Sequence, residues 1–313
     1  MSEAPAPLLS IPEAPVPAGG VAEWLSGEGG VRLRAALFPA VAPRGSVVLS
    51  GGRTEPIEKY YEAVDDLRAR GFSVLTHDWR GQGLSARLTG DPLKGHVSGW
   101  SAYLGDYRRL LDAFEARLPR PWIALGHSMG GGLTAAALAE GEPRLSGAVL
   151  SAPMMGLNLS GAPAWFARLV STLAVGCGFG AAYAAGPGDP LGGAFEGNIL
   201  THDRARWART LHLLQAHPEL RLGGVTWAWL KAALGLSARL AATSPGELAL
   251  PLAVVAAGEE RLVDNAASRA FAAKVPGARW LEIPGARHEL LMETDPVRAA
   301  FWAEFDAVAA QVS

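Results

Sequence analysis

Three features of this chain could together carry out acyl transfer: a serine set among glycines, a cluster of carboxylates and a late histidine. Gly126-His127-Ser128-Met129-Gly130 fits the pattern G-x-S-x-G. An apolar strand, WIAL, runs into it and a helix, GGLTAAALA, leaves it. So abrupt a strand-to-helix turn needs small residues two before and two after the serine, and it holds the serine in a strained backbone conformation. The start of the helix also favours a developing negative charge. Among 38 glycines the pentapeptide alone would be a weak signal. Its flanking strand and helix make it specific.

A serine hydroxyl attacks poorly without a general base, and the base needs an orienting acid. His288 follows the strand ARWLEI in the loop PGARHEL, where an imidazole can swing over the serine. The other histidines are worse placed. His77 precedes Asp78 at a strand end, His96 is in a loop, and His127 is inside the turn itself. His202, His212 and His217 lack metal-ligand spacing. For the acid, the loop Gly258-Glu259-Glu260-Arg261-Leu262-Val263-Asp264 offers three carboxylates. Glu260 lies near the strand end; Asp264 lies one helical turn on and could instead cap the helix NAASRAF. An oxyanion would need two backbone N–H groups, Met129 after the serine and Arg53 in the loop Ser50-Gly51-Gly52-Arg53-Thr54.

The elements that must hold these residues alternate. SVVLSGG, FSVLTHD, WIAL, LSGAVLS, LAVVAA and ARWLEI read as strands. IEKYYEAVDDLRARG, YLGDYRRLLDAFEARLP, GGLTAAALA, NAASRAFAAKV and DPVRAAFWAEFDAVAAQV read as helices. Alternation implies an α/β fold with a mostly parallel sheet covered on both faces. Residues 154–244 break the rhythm, rich in Gly, Ala, Leu and Trp with no convincing strand. They are expected to form a helical insertion after the sixth strand, over the C-terminal edge of the sheet where such folds place ligands. The expected division is an extended N-terminal arm at 1–30, a sheet core at 31–153 and 245–313, and the insertion at 154–244.

Bulk properties exclude other classes. A hydrophobic fraction of 49%, a charged fraction of 19% and a net charge of −2 suit a globular protein and give no footprint for nucleic acid. Lone Cys177 cannot form an intrachain disulfide, which points to a reducing cytoplasm. The proline-rich, acidic N-terminal stretch lacks the pattern of a signal peptide. Leu169 to Pro187 is uncharged and nearly long enough to cross a bilayer, but its glycines make it a poor spanning helix. A buried or lipid-facing insertion fits better, with peripheral membrane contact through it. Oligomeric state leaves no mark in the sequence.

SGGRTEP, DWRGQGLSARL, GHSMGG, AGEERLVDN and PGARHELLME, in that order and spacing, resemble the lysophospholipase L2 and monoacylglycerol lipase branch of the α/β-hydrolases. That branch is grouped with serine aminopeptidase S33-type hydrolases. The resemblance runs from about Ser46 to the end. It implies the α/β-hydrolase fold, a cap over the sheet, and hydrolysis of a carboxylic ester in a single-chain lipid without metal or organic cofactor. The nucleophile carries over to Ser128, the base to His288 and the acid to Glu260, where the family more often has aspartate. Gly51-Gly52 stands where monoacylglycerol lipases show His-Gly, which leans toward the bacterial lysophospholipases. Asp78 and Arg80 resemble structural residues of the family.

Trp165, Phe179, Trp207 and Trp227 in the insertion would suit an acyl chain, or each could pack the insertion's own core. Two rival functions are an iminopeptidase-like amide hydrolase and a non-catalytic lipid binder. The first would need acids in the insertion, which is sparse in them; the second would not need the intact serine, histidine and acid.

Overall fold

The computed structural model describes residues 4–159, 161–244 and 248–312. The boundary expected between 244 and 245 falls at 245–247, outside the described residues. Nine strands form one sheet: β1 (Pro5–Ala6), β2 (Val21–Ser26), β3 (Arg32–Phe38), β4 (Gly45–Ser50), β5 (Phe72–Asp78), β6 (Trp122–His127), β7 (Leu145–Ser151), β8 (Leu252–Ala257) and β9 (Arg279–Ile283). Their order across the sheet is β1-β2-β3-β5-β4-β6-β7-β8-β9. From β5 to β9 every pairing is parallel; β1, β2 and β3 add an antiparallel edge.

The inner parallel strands are buried at nearly every position because helices cover both faces, while β9 at the edge is mostly open. Successive residues feed opposite cores. Val48, Ala124, Leu150 and Val254 face one side; Val47, Ile123, Val149 and Val255 face the other. Helices α1 (Tyr61–Ala69), α2 (Trp100–Phe114) and α3 (Met129–Ala139) follow the early strands, and α4 (Ala164–Gly176), α5 (Arg204–Ala216) and α6 (Trp227–Ala241) form the insertion. Past it come α7 (Asn265–Ala272) and α8 (Asp295–Val312). Tyr103 of α2, Leu133 of α3, Trp229 of α6 and Phe271 of α7 join one core; Leu67 of α1 and Phe301 and Phe305 of α8 join the other.

Two expectations change in detail. The stretch read as an arm is extended but belongs to the sheet, since β2 pairs with β3 from Val21↔Leu37 to Ser26↔Arg32. Proline-rich flanks hid a strand that tertiary pairing supplies. The insertion follows β7, the sixth strand when the two-residue β1 is set aside. Within Leu169–Pro187 the helix stops at Gly176, and no helix among the described residues is long and apolar enough to cross a membrane.

Candidate active site

The turn after β6 holds Ser128 at φ 51°, ψ −117°, a left-handed conformation costly for a non-glycine residue. Packing leaves the surrounding glycines no substitute. A Cβ on Gly126 would lie 2.7 Å from Gly131 Cα, and one on Gly132 would lie 2.5 Å from the Met154 carbonyl oxygen. At Gly130 it would drive into the Ser50 and Gly51 carbonyls. Backbone bonds fix the serine from both sides: Ser128 N–H donates to Ser151 O at 2.9 Å, and Ser128 O accepts from Met154 N–H at 2.8 Å.

His288 Nε2 lies 2.9 Å from Ser128 Oγ, and its Nδ1 lies 2.7 Å from Glu260 Oε2. The other Glu260 oxygen accepts N–H bonds from Arg261, Leu262 and Val263 at 2.9, 2.7 and 3.2 Å. Burial pushes the Glu260 carboxyl up, but His288 and these amides outweigh it and hold it below the usual range. Asp264 does something else. It caps α7, accepting from Ala266 N–H at 2.8 Å and Ala267 N–H at 3.3 Å. Only Glu260, of the two candidates, meets the imidazole.

The loop after β4 runs against the serine: a Cβ on Gly52 would lie 3.1 Å from Ser128 Cβ. Its amides are sorted by neighbours. Gly52 N–H donates to the Glu55 carboxylate and Thr54 N–H to Gln82 Oε1. The Arg53 N–H stands between them. Trp79 Nε1 donates to Gly51 O at 2.9 Å and Gln82 Nε2 to Gly52 O at 2.8 Å, so the DWRGQG segment pins the loop's carbonyls. The Met129 N–H opens α3, where a helix has no internal acceptor to offer.

Behind the serine lies a buried ionic cluster. Lys59 Nζ bridges Glu55 at 2.8 Å and Glu289 at 2.5 Å, and Tyr60 Oη donates to Glu55. Burial pushes the Glu55 carboxyl up, yet Lys59, His127 and Tyr60 outweigh it and bring it down to about 2. Burial keeps Glu289 raised, because two carboxylates compete for one lysine. The cluster ties the loop of Gly52 to the residue after His288. No short motif announces it; the only sequence cue is the adjacency of Glu289 to His288. The His127 ring lies 4.9 Å from that of His288, tilted by 55°, and burial lowers it to about 4, so it stays neutral beside the site.

A cavity of about 480 Å³ opens over Ser128, bordered by Met154, Leu157, Leu159, Leu200, Leu222, Val225, Trp229, Leu262 and Val263. The four aromatics expected there do not border it. Trp165 and Phe179 are 68% and 62% exposed, Trp207 packs edge-on against Phe195, and Trp227 lies two residues from the lining Trp229. Two residues turn a helix by about 200°, so Trp227 and Trp229 face opposite ways. The insertion also grips the histidine loop. Leu200 O accepts from Glu289 N–H at 2.8 Å, and Thr201 Oγ1 donates to Met292 O at 2.7 Å.

A serine bonded to an imidazole that a carboxylate orients, at the foot of an apolar cavity, can take up and release an acyl group. A family model described as serine aminopeptidase, S33, matches residues 41–295. The chain belongs to this family. Lysophospholipase L2 of Escherichia coli (strain K12) is 36% identical over 266 residues, covering 81% of this chain and 76% of that protein. A monoacylglycerol lipase of Mycolicibacterium smegmatis is 28% identical, covering 86% of this chain and 90% of that protein. Among solved structures, a soluble variant of monoglyceride lipase from Saccharomyces cerevisiae with a substrate analog superimposes at a TM-score of 0.75 and 21% identity, covering 98% of this chain and all of that one. The S33 chain therefore has the α/β-hydrolase fold expected from its motifs.

Proposed function

We propose that this chain hydrolyses the carboxylic ester of a single-chain lipid, a lysophospholipid or a monoacylglycerol, through an acyl-enzyme on Ser128. The observation carrying this is the hydrogen-bonded line Glu260–His288–Ser128, at 2.7 and 2.9 Å, beneath an apolar cavity. Similarity to proteins named lysophospholipase L2 and monoacylglycerol lipase supports the substrate class.

His288 accepts the proton of Ser128 as its oxygen attacks the ester carbonyl. The Met129 and Arg53 N–H groups hold the oxyanion. The imidazolium, steadied by Glu260, protonates the leaving alcohol. Water deprotonated by His288 then frees the fatty acid. Leu157, Leu159, Leu222, Leu262 and Val263 receive the acyl chain. Residues 154–244 act as a cap, and α4 makes the peripheral membrane contact: Trp165, Phe166, Leu169, Leu173 and Phe179 stand exposed on or just after it. An amide substrate with a free amine is less well served: of the cavity's three carboxylates, Glu55 and Glu289 are held by Lys59 and Asp189 accepts backbone N–H bonds from Leu191 and Gly193.

A fluorophosphonate probe should label the wild type at Ser128, and a panel of lysophosphatidyl lipids, monoacylglycerols, short p-nitrophenyl esters and amino-acid amides should give fastest turnover on the lipid esters. Absence of labelling would remove the hydrolase reading. Labelling with amides turned over fastest would remove the lipid reading alone.

A further inference from the structure

The head group that leaves with the alcohol is unspecified by the triad, but Arg53 bears on it. It follows Gly52, whose backbone runs against Ser128, and it borders the same cavity as Ser128, Gly223, Gly224 and Trp229. One nitrogen, Nη2, donates to the Gly223 carbonyl; Nε is buried with no partner. The guanidinium lies 5.6 Å from the centre of the Trp229 ring.

Among the described residues, no carboxylate comes within ion-pair range of it. Other cations of this chain that are buried or half-buried are differently treated. Arg34 sits between Glu58 and Asp78, Arg80 holds Asp106, and Lys59 has two glutamates. Arg87 lacks an acid but donates to four carbonyls. Arg53 alone of these is left with a single bond and a buried idle donor. Burial lowers its pKa only to about 10, so it remains charged at neutral pH. A cation largely withdrawn from water without a counter-ion is unfavourable, and an entering anion would offset that cost.

In a lysophospholipid the glycerol unit separates the ester from the phosphodiester by a few bonds. That span is comparable to the Arg53 side chain, which starts one residue after the glycine packed against the attacking serine. We propose that Arg53 receives the phosphodiester of the head group, so that the enzyme favours lysophospholipids over monoacylglycerols of the same chain length. This rests on the lipid-ester reading above and narrows it. A planar guanidinium can meet two phosphate oxygens at once, which a glycerol hydroxyl cannot match.

The test is a ratio: kcat/KM for palmitoyl lysophosphatidylglycerol over that for monopalmitoylglycerol, both in the same nonionic mixed micelles. In Arg53→Met the ratio should fall about 10- to 100-fold, chiefly through KM, with partial recovery in Arg53→Lys. Disturbance of the oxyanion loop would slow both esters alike and cancel in the ratio. An unchanged ratio in Arg53→Met overturns the inference. Failure of the wild type on every lipid ester would instead overturn the broader reading. A measurement without variants guards against misfolding: glycerophosphoglycerol should inhibit p-nitrophenyl butyrate hydrolysis by the wild type where glycerol at equal concentration does not. Equal effects of the two would count against a phosphate receptor.

Discussion

The floor around Ser128 and the α4 end of the insertion are built on opposite terms. At the floor, Gly126, Gly130 and Gly132 admit no Cβ, and the carboxylates Glu55, Glu260 and Glu289 each have a fixed partner. On α4, the only fully buried residue is Ser171, while Trp165, Phe166, Leu169 and Leu173 face outward. Chemistry at 2.7–2.9 Å tolerates little displacement, so the floor is over-determined by packing and charge. The lipid contact proposed for α4 would need apolar area rather than geometry.

The largest break in this contrast should come from Ser128→Ala, which is expected to abolish fluorophosphonate labelling and lower turnover by about 10⁴-fold or more. Glu260→Gln should follow, lowering kcat by about 10³- to 10⁴-fold because the imidazole loses its orienting anion. Asp264→Ala sharpens the same point: kcat should hold while urea unfolding shows a loss of about 1 kcal/mol from the missing cap. Equal kcat losses in these two would undo the assignment of roles. Gly130→Ala tests the floor without touching a polar group. Its methyl meets two carbonyls with no room to relax, and stability should fall by about 3 kcal/mol.

Acid should weaken the floor in a defined window. His77 is buried against Trp79 with neither ring nitrogen bonded, and burial lowers it to about 3; His127 is lowered to about 4. The folded state therefore takes up these protons later than the unfolded chain, whose histidines titrate near 6.5. Their contribution is complete above about pH 6.5 and is lost as pH falls toward 4, by up to about 1.4 kcal/mol per pH unit for each histidine. Unfolding of His77→Leu at pH 7 and pH 5 should show a shallower loss than the wild type; an identical slope would contradict the buried neutral state. The smallest effect is expected at the other region. Trp165→Ser with Phe179→Ser should change unfolding free energy by less than about 0.5 kcal/mol and leave short-ester turnover intact, yet reduce vesicle co-sedimentation. Unchanged co-sedimentation would remove α4 from membrane contact.

Much of this was legible in the residues themselves, for a local reason. A serine flanked by glycines between an apolar run and an alanine-rich helix specifies its own turn, because the clash that demands glycine arises within a few residues and one neighbouring strand. His288 was legible through its place after the last parallel strand. The choice between Glu260 and Asp264 was not, since both carboxylates follow β8, four residues apart, and only the approach of the β9 loop brings the imidazole to one of them. Aromatic residues of the insertion gave no direction either: composition sets how much apolar surface a helix carries, but its neighbours decide which face turns inward. So α6 buries Trp229 over the site, and α4 leaves Trp165 outside. Arg53 shows the same division. Its place beside the serine follows from chain order, while its burial without a counter-ion was decided only when Gly95, Gly223 and Trp229 closed around it.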